Sequence, residues 1–133
     1  MRASDIYTWV SENLSDLLGT YTYPNGHSKP AISIGNPLNE ISFSGSLEVV
    51  IPLTPSRTKS IRTGAYFHRE DYWDIYLIQR DRSGNVVIAA ERMLTSFIQA
   101  NAQDFPVKIE GETFPSVRLT IIHKDTYQSF RGI

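Results

Sequence analysis

His68, Glu70, Asp71 and Asp74 form the densest group of potential metal ligands in the chain, and hard cations favour several carboxylate oxygens held together. Carboxylates at the entry to a strand also have a simpler role, since they keep a sheet edge solvated and discourage edge-to-edge pairing. His68-Arg69-Glu70 has the His-x-Glu spacing of the zinc deaminases, but those enzymes need a Pro-Cys-x-x-Cys and this chain has no Cys. The same lack removes disulfides, thiol chemistry and Cys-based zinc sites. There is no Gly-rich phosphate loop leading into Lys-Ser/Thr, no His-Glu-x-x-His and no Gly-x-Ser-x-Gly elbow. His27 and His123 stand alone, and spacing nominates no Ser–His–Asp set. No catalytic, cofactor-binding or metal-binding residue is therefore assigned.

Charge points elsewhere. From Thr54 to Arg69 the chain is polar, holds Arg57, Lys59, Arg62 and Arg69, and contains no acidic residue. With His68 these form a candidate interaction loop, hairpin-like in length, that reads either as a solvated hairpin tip or as an interaction arm. Tyr66 and Phe67 lie beside the basic residues, so the loop has the makings of an electrostatic patch for nucleic acid. Against this, the net charge is −1 and no helix is rich in Arg and Lys, so the overall field does not favour a polyanion. A second candidate is the stretch from Lys124 to Ile133, which loses periodicity and reads as a tail ordered by a partner, with Tyr127, Phe130 and Arg131 as its contact residues.

These segments need a scaffold. At 133 residues, 41% hydrophobic and 20% charged, the chain has the size and composition of one globular domain with a core at about residues 4–123. Ser4 or Asp5 is positioned to cap a helix from Ile6 to Leu18, with Gly19 as its stop. Pro24-Asn25-Gly26 is turn chemistry, and Ala31–Gly35 alternates as a short strand. Glu40–Leu53 reads as extended, interrupted at Ser44-Gly45-Ser46, with Leu47, Val49 and Ile51 on one face. Trp73, Ile75 and Leu77 share a face of a strand from Tyr72 to Gln79. The period then changes: Val86, Ala89, Ala90, Met93, Leu94 and Phe97 make a helical stripe, with Ser83 or Asn85 as cap. After Ala100–Asp104 the chain turns extended again, and Val107–Ile109 and Ser116–Ile122 flank a hairpin turn at Gly111. The sum is an α+β domain: an antiparallel or mixed β-sheet with two main helices packed on one face. The N-terminus leads into a mixed helix and not an apolar signal core, and no apolar run is long enough to span a bilayer.

The order of these elements resembles the small tail terminator proteins of tailed bacteriophages, also called tail-completion or minor tail proteins. The likeness is carried by the N-terminal amphipathic helix ending near Gly19, Pro30–Gly35, Gly45–Ile51 with the Pro-containing loop after it, Trp73–Leu77, the following helix and Val117–Ile122. It spans roughly Ser4 to His123 and consists of element order and apolar spacing. The resemblance implies a structural virion protein, not an enzyme and without a cofactor, assembled in the host cytoplasm, that forms a ring, usually a hexamer, on the head-proximal end of the tail tube. Its implied partners are further copies of itself, the major tail tube protein and the head–tail connector or neck protein, with genomic DNA passing through the lumen without sequence-specific contact. A head-completion or neck protein, or a small ligand- or nucleic-acid-binding α+β domain, are the alternatives.

Overall fold

The computed structural model describes residues 1–35, 42–81, 83–97 and 99–128. In chain order the elements are α1 (Ala3–Asn13), β1 (Thr20–Thr22), β2 (Ser28–Pro30), β3 (Ile32–Ile34), β4 (Ser42–Ser44), β5 (Leu47–Ile51) and β6 (Arg57–Thr63). Then come β7 (Tyr66–Gln79), α2 (Asn85–Ser96), β8 (Ala100–Asp104), β9 (Val107–Ile109), β10 (Glu112–Phe114) and β11 (Val117–Gln128). This is the α+β fold expected from the periodicity, with a mixed main sheet.

β7 is the axis of that sheet, whose order is β3-β5-β7-β11-β8. β5 lies beside the end of β7, Tyr76–Gln79, and β6 lies beside its beginning, Tyr66–Tyr72. β11 runs antiparallel along the whole of β7, from Val117 opposite Leu77 to Gln128 opposite Tyr66. β8 accompanies only Val117–Ile121 of β11. The β3–β5 pair is parallel. Strands β2, β1 and β4 form a second, small sheet, and β9 and β10 a separate hairpin.

Alternation decides where the core sits. Trp73, Ile75 and Leu77 point to the same side as Leu47, Val49 and Ile51 of β5 and Leu119 and Ile121 of β11, and all are buried. Ile6 and Val10 of α1 and Val86, Ala89, Ala90 and Met93 of α2 close over that side. Each such Leu, Ile, Val or Met side chain contributes about 1.5–3 kcal/mol by leaving water, so this single face carries most of the fold. The two helices are tied to each other as well. Trp9 meets Phe97 at 5.1 Å between ring centroids. The Arg92 guanidinium donates to both Asp16 carboxylate oxygens at 2.7 and 2.9 Å and to the Asn13 carbonyl at 3.0 Å. That fork holds the Asp16 carboxyl below the ordinary range.

Several local expectations are corrected. α1 starts earlier and ends earlier than Ile6–Leu18: the Asp5 carboxylate accepts from the Arg2 amide at 2.7 Å, acting from inside the first turn and not as the cap residue. Leu14 and Leu17 are still buried, but from the turn after the helix. Gly19 is not the helix stop. A Cβ there would lie 2.6 Å from both the Phe43 ring and the Ser44 carbonyl, so glycine is needed because β4 crosses it closely. Leu94, counted in the stripe of α2, is exposed. Ala100–Asp104 is itself a strand, and Val107–Ile109 closes its hairpin with Glu112–Phe114 and not with the strand from Val117.

The cap of α2 is also not where local spacing put it. Gly84 occupies the N-cap at φ 76°, and the Ser83 hydroxyl only grazes the Asn85 amide at 3.4 Å. The bond that matters comes from the sheet: fully buried Gln79 accepts from the Val86 amide at 2.9 Å and donates to Asp81 at 2.7 Å. Asp81 also accepts from the Ser83 amide at 2.9 Å and the Ser46 hydroxyl at 3.0 Å. The Ser83 amide first, then the hydroxyl and amide donors, hold its carboxyl below the ordinary range.

Two measurements check this account. Gly19→Ala should lower stability by about 1–3 kcal/mol through overpacking, seen as a lower urea midpoint with an unchanged m-value; an unaltered midpoint would show that β4 moves away freely. For Asp81 the folded pKa lies below the unfolded value of 3.8, so its contribution is complete above that value and is lost as pH falls through the folded one. Asp81→Asn should therefore flatten the acid limb of the stability curve and leave its slope unchanged at about pH 6–8; parallel acid limbs would contradict the assignment.

Candidate functional site

β7 is fourteen residues long, but the layers around it cover only its second half. Its first seven residues, Tyr66–Tyr72, pair with β6 on one side and with Ile122–Gln128 of β11 on the other. This makes a three-stranded arm about 24 Å long at the usual rise per residue. No described side chain of Arg57–Glu70 or Ile122–Gln128 is buried. The segment forms strands because Thr58, Ile61, Thr63, Tyr66 and Phe67 suit a pleated surface. Gly64 at φ 58° completes the tight connection between paired Thr63 and Tyr66. The expected loop at 54–69 is thus an ordered hairpin from Arg57 onward. The expected tail is corrected too: Lys124–Gln128 is the end of β11, and Phe130 and Arg131 lie outside the described residues. Tyr127 is opposite Phe67 in the strand register.

The register sorts the charged residues into two sets. On the side away from the helices, Arg57, Tyr72 and Ile122 lie in one row, Lys59, Glu70 and Lys124 in the next, and Ile61, His68 and Thr126 in the third. The Arg57 guanidinium stacks over the Tyr72 ring at 4.4 Å from its centroid. The Tyr72 hydroxyl donates to Glu70 at 2.7 Å, which together with partial burial raises its pKa above the ordinary phenol value, while Arg57 opposes the rise. Lys124 Nζ stands 3.9 Å from the other Glu70 oxygen. His68 Nδ1 lies 3.1 Å from the Thr126 hydroxyl.

On the helix side the rows are Thr58, Asp71 and His123, then Ser60, Arg69 and Asp125, then Arg62 and Phe67. Asp71 accepts from the Thr58 hydroxyl at 2.9 Å and from Arg69 Nε at 3.1 Å. His123 Nε2 lies 3.1 Å from Asp125. Where the arm leaves the helices, an open groove of about 480 Å³ runs between the start of α1 and the arm, lined by Arg2, Leu53, Pro55, Arg69, Asp71 and Trp73. Leu53 is 70% exposed at its rim.

The structure therefore divides the predicted residues. Arg57, Lys59 and His68 share the outer face, whereas Arg62 and Arg69 sit on the other. The carboxylate group is split as well: Glu70 and Asp74 face outward and Asp71 faces the helices, with Asp74 engaged by the Thr120 hydroxyl at 2.6 Å. Among the described residues no three His, Asp or Glu side chains converge to hold a metal ion. Lys124 and Tyr72 are functional candidates that sequence reasoning did not single out, and Glu70 entered it only as a potential metal ligand. The Gly64-Ala65 pair between β-prone residues was a usable hairpin signal, but nothing local announces that Lys124 returns to lie beside Glu70. No helix among the described residues is long and apolar enough to cross a membrane. No protein-family model, curated protein or solved structure matches the chain.

An arm without a core should open before the body does. Hydrogen exchange should find the amides of Arg57–Thr63 and Ile122–Gln128 at least about tenfold less protected than those of Leu47–Ile51 and Trp73–Gln79, because local opening there exposes little apolar surface. Equal protection in both sets would show that arm and body unfold as one unit.

Proposed function

We propose that this chain is a structural assembly protein of a tailed bacteriophage, a tail terminator that closes as a ring on the head-proximal end of the tail tube. It stops tube growth and offers a surface to the head–tail connector. In this reading its partners are other copies of itself, in a hexamer, together with the tube protein and the connector or neck protein, and it performs no catalysis and needs no cofactor. DNA passes through the lumen. The protein then belongs to the tail or neck of the virion and is assembled in the host cytoplasm.

The observation that carries the reading is the arm. Among the described residues no strand pairs with the outer edge of β6 or with β11 beyond Ile122, so one projection presents two different free edges. A closed ring uses heterologous contacts, which need two unlike surfaces on each subunit, and two unlike edges meet that need. Free edges also bind partners by strand addition. The groove beneath the arm, with exposed Leu53, adds an apolar contact for a neighbouring chain. The order of elements, which resembles that of tail terminators, supplies the particular assembly.

Electron microscopy of particles made without this protein tests the proposal. Overlong tails with uncapped, ragged proximal ends are expected. Tails of normal length beside heads that have lost their DNA would instead mean a head-completion role, and unaltered particles would remove the virion reading altogether.

A further inference from the structure

From the sorting of charge across the arm, we infer that its outer face lies against the phosphodiester backbone of duplex nucleic acid, while its helix-side face is turned toward protein. Within the arm the outer face carries Arg57, Lys59 and Lys124 against Glu70; the next carboxylate on that side, Asp74, is buried in the body and accepts from the Thr120 hydroxyl. Glu70 is already committed, accepting from the Tyr72 hydroxyl at 2.7 Å and facing Lys124 at 3.9 Å. The helix-side face is balanced: Arg62 and Arg69 share it with Asp71 and Asp125, and the Arg69–Asp71 pair is closed at 3.1 Å. A chain of net charge −1 thus concentrates an excess of cations on one side of one projection.

The geometry of the face suits a backbone more than a pocketed anion. Lys59 and Lys124 occupy the two outer strands of one row, so their backbones are separated by two strand spacings, about 10 Å. Arg57 lies one row further along, about 7 Å away. The three cations form a triangle spread over three strands and two rows, a spacing that meets successive phosphates without reading bases. Stacking on Tyr72 holds the Arg57 guanidinium against the sheet, so its donors are oriented before any phosphate arrives. The His68 ring and the Thr126 hydroxyl, 3.1 Å apart, continue the face toward the tip.

Fluorescence anisotropy with a 30-base-pair duplex, titrated at several salt concentrations on the purified full chain, tests the inference. Three phosphate contacts give a log–log salt slope of about −2.7, or about a 40-fold loss of affinity between 50 and 200 mM salt. The Lys59→Gln/Lys124→Gln variant should lose about two units of that slope, whereas Arg62→Gln/Arg69→Gln, equal in charge change, should keep it. Glu70→Gln keeps an acceptor for Tyr72 and removes the carboxylate that lies between Lys59 and Lys124, so it should tighten binding several-fold, a gain that misfolding cannot produce. Equal losses from the two double variants, or no binding by the parent chain at low salt, would overturn the inference. So would binding to phosphatidylserine vesicles without binding to DNA, which would make the face a membrane contact. The outcome is separable from the terminator reading: face-dependent DNA binding by a protein that does not limit tail length leaves this inference standing, and tail capping without it leaves only the other.

Discussion

The period of two along β7 is the constraint on which the rest of the molecule depends. One unbroken strand runs through two environments. In its second half, odd-numbered positions meet two helices and are buried: Trp73, Ile75 and Leu77 are apolar, and Gln79 is accommodated by its bonds to Asp81 and the Val86 amide. In its first half the same positions, Phe67, Arg69 and Asp71, overhang the helices and can be charged. The core anchors the strand, and the strand in turn fixes which side of the arm each charged residue occupies. A slip of one residue in the pairing of β7 would send the core residues outward and exchange the two charge sets at once. Stability of the body and the polarity of the arm are therefore consequences of one register.

Two polar networks at the far end of β7 hold that register against its surroundings. Gln79 reads the start of α2 directly, accepting the Val86 amide while donating to Asp81, so the helix is docked by the strand it packs on. One residue later Arg80 turns to the opposite face and meets buried Glu48 at 3.2 Å, while the Tyr21 hydroxyl donates to the same carboxylate. Burial, then Glu48, pushes the Tyr21 phenol well above its ordinary pKa, so it stays a neutral donor. Arg80 also stacks over Phe43 at 4.6 Å. These contacts fasten the small sheet to the outer face of β5, and the missing Cβ at Gly19 lets Phe43 come in close enough to make them. A buried carboxylate stripped of one partner costs several kcal/mol, so the small sheet is coupled to the main one more firmly than its three-residue strands suggest.

What the sequence made legible follows the same division. Where apolar residues recur with a clear period, as in Leu47–Ile51, Trp73–Leu77 and Val86–Met93, element type and buried face were readable, because burial forces the pattern. In the arm no described side chain of Arg57–Glu70 or Ile122–Gln128 is buried, so no apolar period exists to be read; Thr54–Arg69 looked like a loop and Lys124–Gln128 like a tail, although Arg57–Thr63, Tyr66–Arg69 and Lys124–Gln128 are strand. The helix cap was missed for another reason. Ser83 and Asn85 are ordinary local caps, but Gln79, seven residues before Val86, was placed there by the tertiary fold. Gly19 was given a local role for a non-local cause, the crossing of β4.

Net charge says little about the surface of the arm. A net charge of −1 describes the field far from the protein, where opposite charges cancel. At contact distance, within a Debye length of about 8–10 Å, a ligand senses only the charges on the face it meets. The basic residues grouped by sequence, Arg57, Lys59, Arg62 and Arg69, are divided two and two by the pleat. Lys124, far away in sequence, then joins the first pair through the pairing of β11 with β7. The patch is thus a product of strand register and not of sequence proximity. An engineered one-residue shift of the hairpin at Gly64 would be the sharpest way to separate the two: the same residues in the same numbers, with the cations of β6 moved to the opposite face.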